Sequence, residues 1–212
     1  MVTSERQKGT AMGSDTKERI MKKALLMFSE RGYNGTNLRD LAKELDLSKS
    51  ALYRHFDSKE AIWEEIYQQT KKHYEEHFGS PEHMPHIPVN TDELYEMTMR
   101  MIRFTIHDET VIQMRKLLTT EQFRDEKTGK LASNYFLYGT ESMFKIVFEH
   151  MMKQGCLKTG DVEILAFSYT TPITAMIHLC DREPDKETEA LEMVDRFVRQ
   201  FIQTYGSENV TI

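Results

Sequence analysis

Apolar residues recur at helical spacing along nearly the whole chain, and strand-like alternation is absent. The first clear stripe, Ile20, Ala24, Met27 and Phe28, is stopped by Gly32. Two much shorter stripes follow: Leu38, Leu41, Ala42 and Leu45, then Leu47, Ala51, Leu52 and Phe56. Segments this short do not hold a helix unaided, because nucleation is costly, so they must lean on neighbours. Between them lies Leu45-Asp46-Leu47, short enough to fix the angle of two helices, with Asp46 a tolerable but not ideal residue for a left-handed turn position. Thr36 or Asn37 is placed to cap the first, Ser48 the second, and Asp57 or Ser58 a third helix that runs from 58 to 78 with Ile62, Trp63 and Ile66 on its apolar side. The second half of that third helix, QQTKKHYEEHF, is highly polar, as a strut between domains would be.

A domain boundary is expected near residue 79, where GSPEHMPHIPVN carries three of the five prolines. Thr91 or Asp92 then caps a helix through Leu94, Met97, Met101 and Phe104, and a shorter one starts at Asp108 or Glu109 and uses Val111, Met114, Leu117 and Leu118. EKTGK reads as a polar turn around Gly129, and the longest periodic run, Lys130 to Gln154, stops at Gly155. Two last helices, Asp161 to Cys180 and Lys186 to Tyr205, carry apolar residues on more than one face. Pro172 predicts a kink in the first of them. Their apolar surplus suggests a dimer interface through Leu165, Tyr169, Ile173, Val194, Phe197 and Phe201; the alternative is a thick monomer core. The expected fold is therefore all-α: a loose arm over 1–14, a helix-turn-helix domain over 15–60, and a helical domain over 79–212.

Composition changes this picture mainly through charge. The net charge of −6 divides into +3 over residues 1–60 and −9 over the rest, a hint of a nucleic-acid face on an otherwise acidic body. With 39% hydrophobic and 29% charged residues the chain can bury a real core. No apolar run has the length or flanks of a signal peptide or a membrane span, so a cytoplasmic protein without a membrane partner is expected. Cys156 and Cys180 suit that compartment, as buried or incidental thiols more than as a redox pair.

The side chains around the two short helices point to DNA. Lys49, Ser50, Tyr53, Arg54 and His55 crowd the polar face of the second, Ser48 stands at its start, Thr36 and Asn37 at the start of the first, and Lys59 at the start of the third. Arg, Lys, Ser and Asn bond base edges, while Thr, Tyr, Lys and helix N-termini grip phosphates. Residues 16–66 also resemble the DNA-binding domain of the tetracycline-repressor (TetR) family: Phe28-Ser-Glu-Arg-Gly32-Tyr33, Gly35-Thr36, Leu41-Ala42, Leu47-Ser48-Lys49 and Leu52-Tyr53-Arg54-His55-Phe56, followed by Ser58-Lys59-Glu60. Asp46 and Ser50 depart from the Gly common in that family; the first implies a slightly strained turn, the second an added hydroxyl near the bases.

The resemblance implies a homodimer paired through two C-terminal helices, a double-stranded DNA operator, and a small-molecule effector whose binding changes the separation of the two reading heads. Flexible thioethers and aromatics suit a pocket for a bulky apolar effector, which makes Met97, Met101, Phe104, Met114, Phe123, Tyr135, Tyr138, Phe144, Tyr169 and Met176 candidates, against the alternative that each is ordinary core. His107, Gln113, Asn134 and His178 are candidate polar anchors. His73 and His77, four apart, have a spacing that can hold a metal, but solvated histidines are the default, so neither a metal nor a cofactor is expected. No nucleophile elbow, Walker loop, dinucleotide fingerprint or HExxH helix appears, which argues against an enzyme. The competing readings are a DNA-binding regulator without a small-molecule effector, whether partner-controlled or architectural, and an activator.

Overall fold

The computed structural model describes the backbone of residues 3–207 and the side chains of residues 15–207. Ten α-helices are described: α1 (Thr3–Gly35), α2 (Leu38–Glu44), α3 (Lys49–Tyr53), α4 (Lys59–Phe78), α5 (Thr91–His107), α6 (Glu109–Glu121), α7 (Glu126–Ser133), α8 (Gly139–Lys153), α9 (Val162–Arg182) and α10 (Glu187–Tyr205). No strand occurs among the described residues, and none of their helices is long and apolar enough to cross a membrane. The arm expected over 1–14 enters this description only as backbone, helical from Thr3 onward. Met1, Val2 and the side chains of residues 3–14, Arg6 and Lys8 among them, lie outside the described residues.

The chain forms two compact units. The first comprises the chain through His73 together with Glu109–Arg124; the second comprises Tyr74–Asp108 and the chain from Asp125 onward. The proline-rich break at 79 marks the end of α4, but it does not anticipate that α6 joins the first unit, where it packs along α1. The reason is apolar matching: Val111, Met114, Leu117 and Leu118 of α6 are buried, as are Ile20, Ala24, Met27 and Phe28 of α1. Leu41, Leu52, Phe56, Ile62 and Trp63 are buried in the same unit.

The second unit is built around Tyr169, fully buried on α9. Its ring lies 4.5 Å from Phe201, 5.0 Å from Phe144 and 5.2 Å from Phe148, within the range where aromatic quadrupoles attract. Its hydroxyl, which could not be buried unpaired without a large penalty, is 2.8 Å from Thr98 Oγ1. Burial pushes the phenol's pKa well above the ordinary tyrosine value, with the Thr98 bond opposing.

Local details depart from the periodicity in three places. EKTGK is not a turn: Asp125 accepts the Thr128 N–H at 2.8 Å and caps α7, with Gly129 inside the helix. An Asp N-cap stabilises a helix by about 1 kcal/mol, enough to offset one interior glycine. The run expected from Lys130 to Gln154 is divided by a π-helical turn, Asn134–Tyr138, between α7 and α8. Asn90, one residue earlier than expected, caps α5 by accepting the Glu93 N–H at 2.8 Å. The helix α9 continues through Pro172, with the Thr170 and Thr171 hydroxyls donating back to the Ala166 and Phe167 carbonyls. Gly79 follows α4 with φ +83°, and a Cβ there would lie 2.6 Å from the His83 carbonyl oxygen, so the tight turn requires glycine.

Candidate nucleic-acid interface

The corner that aims the two short helices begins at Gly32, whose φ of 73° ends the regular helix of α1. Asn37 then caps α2, its Oδ1 accepting the Asp40 N–H at 2.9 Å. Helix α2 closes with the Leu47 N–H donating to the Ala42 carbonyl at 2.9 Å, a turn that places Asp46 at φ 54°. This is the left-handed position expected there; Asp tolerates it because its short polar side chain does, at some cost relative to Gly. Ser48 caps α3, its Oγ accepting the Ala51 N–H at 3.1 Å and lying 3.0 Å from Ser50 Oγ. Ser58 Oγ accepts the Ala61 N–H at 3.0 Å and starts α4.

These caps, with Leu52 and Phe56 buried beneath them, leave one polar surface. Asn37, Ser48, Lys49, Ser50, Tyr53 and Arg54 are exposed, and His55 is half-buried. Tyr53 keeps 40% of its surface accessible and carries the Lys49 ammonium 5.6 Å above its ring. Sequence reasoning missed two cations on the same flank. Arg39 and Lys43, four residues apart on the exposed side of α2, line a surface depression with Asp46, Leu47 and Lys49. The signal was their i, i+4 spacing on the polar face. The surface thus combines cations able to hold phosphates with hydroxyl, amide and guanidinium groups able to bond bases.

Two expected contacts are turned inward instead. Thr36 is 1% exposed, and its hydroxyl lies 3.1 Å from the Gly32 carbonyl oxygen and 3.2 Å from that of Met27. The Lys59 ammonium donates to the carbonyls of Tyr33 at 2.7 Å and Thr36 at 2.9 Å. Burial, and then the charge of Arg124, lower the Lys59 pKa from the ordinary lysine value. Both side chains brace the corner because its broken backbone leaves carbonyls that need donors.

In the second unit, the candidate effector contacts are dispersed. Met97 and Met101 are buried and Phe104 and Met176 half-buried in one apolar cluster with Tyr169, and Phe104 lies 4.4 Å from His77 ring to ring. Phe144 is also core. Tyr135 is half-buried, Tyr138 is exposed, His107 is exposed and paired with Glu187, and Phe123, also exposed, belongs to the first unit. Met114 lies in the core of the first unit. Among the described residues there is no group of three or more metal-ligating side chains around His73, His77 or elsewhere.

The residues expected at a dimer interface lie inward. Leu165, Tyr169, Ile173, Val194 and Phe201 are buried in their own chain's core, with Phe197 half-buried against it. The apolar residues that α9 and α10 turn outward are Ile164, Phe167 and Met193, exposed to 63%, 49% and 48%. Periodicity detects a second apolar stripe but does not say which stripe goes inside.

Comparison with known proteins bears on the same segment. Residues 20–66 match the family description "Bacterial regulatory proteins, tetR family". A 49-residue stretch is 49% identical to the biofilm operon icaADBC HTH-type negative transcriptional regulator IcaR of Staphylococcus aureus (strain Newman), covering 23% of this chain and 26% of that protein. The match thus spans about a quarter of that relative's length. The fold as a whole is shared with solved structures of low identity. A TetR family transcriptional regulator from Pseudomonas syringae pv. tomato superposes with a TM-score of 0.64 at 18% identity, over 91% of this chain and 97% of its own. SmeT, in a complex with triclosan, superposes with a TM-score of 0.73 at 16% identity, over 93% and 95%.

Proposed function

We propose that the chain, whose residues 20–66 match the tetR family of bacterial regulatory proteins, is a homodimeric, sequence-specific repressor released from a palindromic DNA operator by a small hydrophobic ligand. The observation that carries this reading is the Ser48-capped α3, which presents Lys49, Ser50, Tyr53 and Arg54 on one exposed face. Arg39, Lys43 and Lys49 supply phosphate contacts beside it, while Ser50 and Arg54 supply base contacts. Pairing uses the outward stripe of Ile164, Phe167 and Met193, since large apolar side chains left in water on adjacent helices favour being covered. Repression is supported by the name of the relative matched over the reading helices.

The ligand reading is supported by the methionine- and aromatic-rich cluster of the second unit, which holds Met97, Met101, Phe104 and Met176, and by the triclosan complex of a protein with this fold. A ligand releases DNA only by preferring the DNA-free conformation, and it is then bound more weakly by the DNA-bound protein by the same factor.

Selection from a random duplex pool tests the reading. The full chain should enrich an inverted repeat whose half-sites lie about one helical turn, or a multiple, apart. Enrichment of no sequence overturns DNA reading, and enrichment of one unrepeated half-site overturns the dimer. A panel of hydrophobic compounds, scored by thermal stabilisation, should contain one that lowers affinity for the enriched duplex; stabilisers without any effect on DNA binding overturn ligand release.

A further inference from the structure

Tyr33, the first residue after the break in α1, is gripped at every polar atom it has. Its N–H donates to Glu121 Oε1 at 3.0 Å, its carbonyl accepts from Lys59 at 2.7 Å, and its hydroxyl donates to Glu60 Oε2 at 2.7 Å. Its ring is covered as well: the Arg124 guanidinium carbon is 4.0 Å and the Lys59 ammonium 4.2 Å from the centroid, while Trp63 meets it edge-on at 5.5 Å. Two of these partners, Glu121 and Arg124, come from the end of α6 and the turn that follows it. All of them belong to the first unit.

Glu121 fits against the break itself. Its Oε1 lies 3.1 Å from where a Cβ on Gly32 would stand, and the residue is only 9% exposed. A buried carboxylate needs compensating donors and charge; here they are the Tyr33 N–H and the Arg124 guanidinium, with Nη1 3.8 Å from Glu121 Oε2. Arg124 also lies 4.7 Å from the Trp63 ring, and its Nη2 is 3.9 Å from Glu60 Oε2. The guanidinium reaches two rings that stand at 87° to each other and two carboxylates at once, which its wide fork of donors permits and the compact ammonium of a lysine does not.

We propose that Glu121 and Arg124 form a positioning clamp for the DNA-reading helices, fixing the Tyr33 corner to the start of α4 and so setting the angle at which α2 and α3 are presented. The clamp rests on the DNA-binding reading above. Tyr33 precedes the Asn37 cap of α2 by four residues, and Lys59 ties both Tyr33 and Thr36 to α4. With the clamp released the corner can turn about Gly32. Loose phosphate contacts survive such a turn, whereas base contacts do not, because they need placement to within about 0.5 Å. The clamp therefore acts on the preference for one sequence over another more than on attraction to DNA.

The test uses the full chain, the duplex enriched by the wild type, and a scrambled duplex of equal length. Arg124→Ala should bind the enriched duplex about tenfold more weakly, in the range of substitutions that act through positioning. Binding to the scrambled duplex, and the slope of log affinity against log salt, should stay as in the wild type, because no phosphate contact is lost. Arg124→Lys should restore the charge without restoring the preference, and Glu121→Gln, which keeps an acceptor for Tyr33, should fall between. Trp63, the single tryptophan, lies under Arg124 and reports the clamp without DNA: its emission should shift in Arg124→Lys. Should Arg124→Ala fail to fold, Arg124→Lys carries the same readings. An unchanged ratio between the two duplexes, or equal loss of both, overturns the clamp. A wild type that enriches no duplex overturns the DNA reading and the clamp with it, whereas an intact selection with an unchanged ratio overturns the clamp alone.

Discussion

The helices α2 and α3 of the first unit are 7 and 5 residues long, while α5, α9 and α10 of the second are 17, 21 and 19. The difference changes what holds each unit. Helices this short have more orphan backbone groups than internal bonds, so the reading corner depends on Asn37, Ser48 and Ser58 as caps and on Thr36 and Lys59 as donors to stray carbonyls. Long helices satisfy themselves internally and contribute area. The second unit is accordingly centred on rings packed about Tyr169, with polar groups in minor roles. The lesson is that the functional surface of the first unit and its structural polar groups are the same residue types, separated only by direction.

The largest expected effect lies in the second unit. Tyr169→Ala removes a fully buried aromatic and should destabilise the chain by about 3–5 kcal/mol, measured by urea unfolding; Tyr169→Phe should cost about 1 kcal/mol through the lost Thr98 bond. A small cost for the alanine variant breaks the account of a ring-centred unit. A smaller effect is expected from Thr36→Val in the first unit. Close in shape, it lacks the hydroxyl that faces the Met27 and Gly32 carbonyls, and the loss should be about 1–3 kcal/mol. If this variant is as stable as the wild type, the contrast between directional and apolar cohesion fails.

The smallest effect concerns pH and a polar link within the second unit. Arg199, and then the Tyr95 hydroxyl, hydrogen-bond Asp195 and hold its pKa below the ordinary carboxylate value. A carboxylate with a lowered folded-state pKa contributes stability that is present above its unfolded pKa and lost as pH falls through the folded one. Asp195→Asn should therefore flatten the acid limb of the stability profile slightly and leave stability at neutral pH only a little reduced, since the group is largely solvated. An unaltered acid limb shows that this exposed cluster carries no stability of its own.

The caps and turn of the reading element were legible in the residues because they are local: Ser48 three residues before Ala51, and Asp46 in a three-residue connection, need no distant partner. The polar turn expected at EKTGK around Gly129 does not form, because the Asp125 side chain caps a helix that runs through that glycine. Thr36 and Lys59 were legible as belonging to the corner but not in their direction, since whether a cation faces phosphate or a stray carbonyl depends on how the backbone breaks at Gly32.

The sequence by itself determined the helical class and the two short helices with their caps, which follow from periodicity and spacing within a few residues, and the kinship of residues 20–66, which rests on the identity of the residues at matching positions. Only the tertiary structure decided that α6 packs with the first unit, that Glu121 and Arg124 grip Tyr33 from 88 residues away along the chain in the case of Glu121, and that Ile164 and Phe167 rather than Leu165 and Tyr169 face outward. The physical reason is common to all three. Apolar burial and charge pairing are set by which surfaces meet, and a one-dimensional pattern records what each surface can offer without recording its partner.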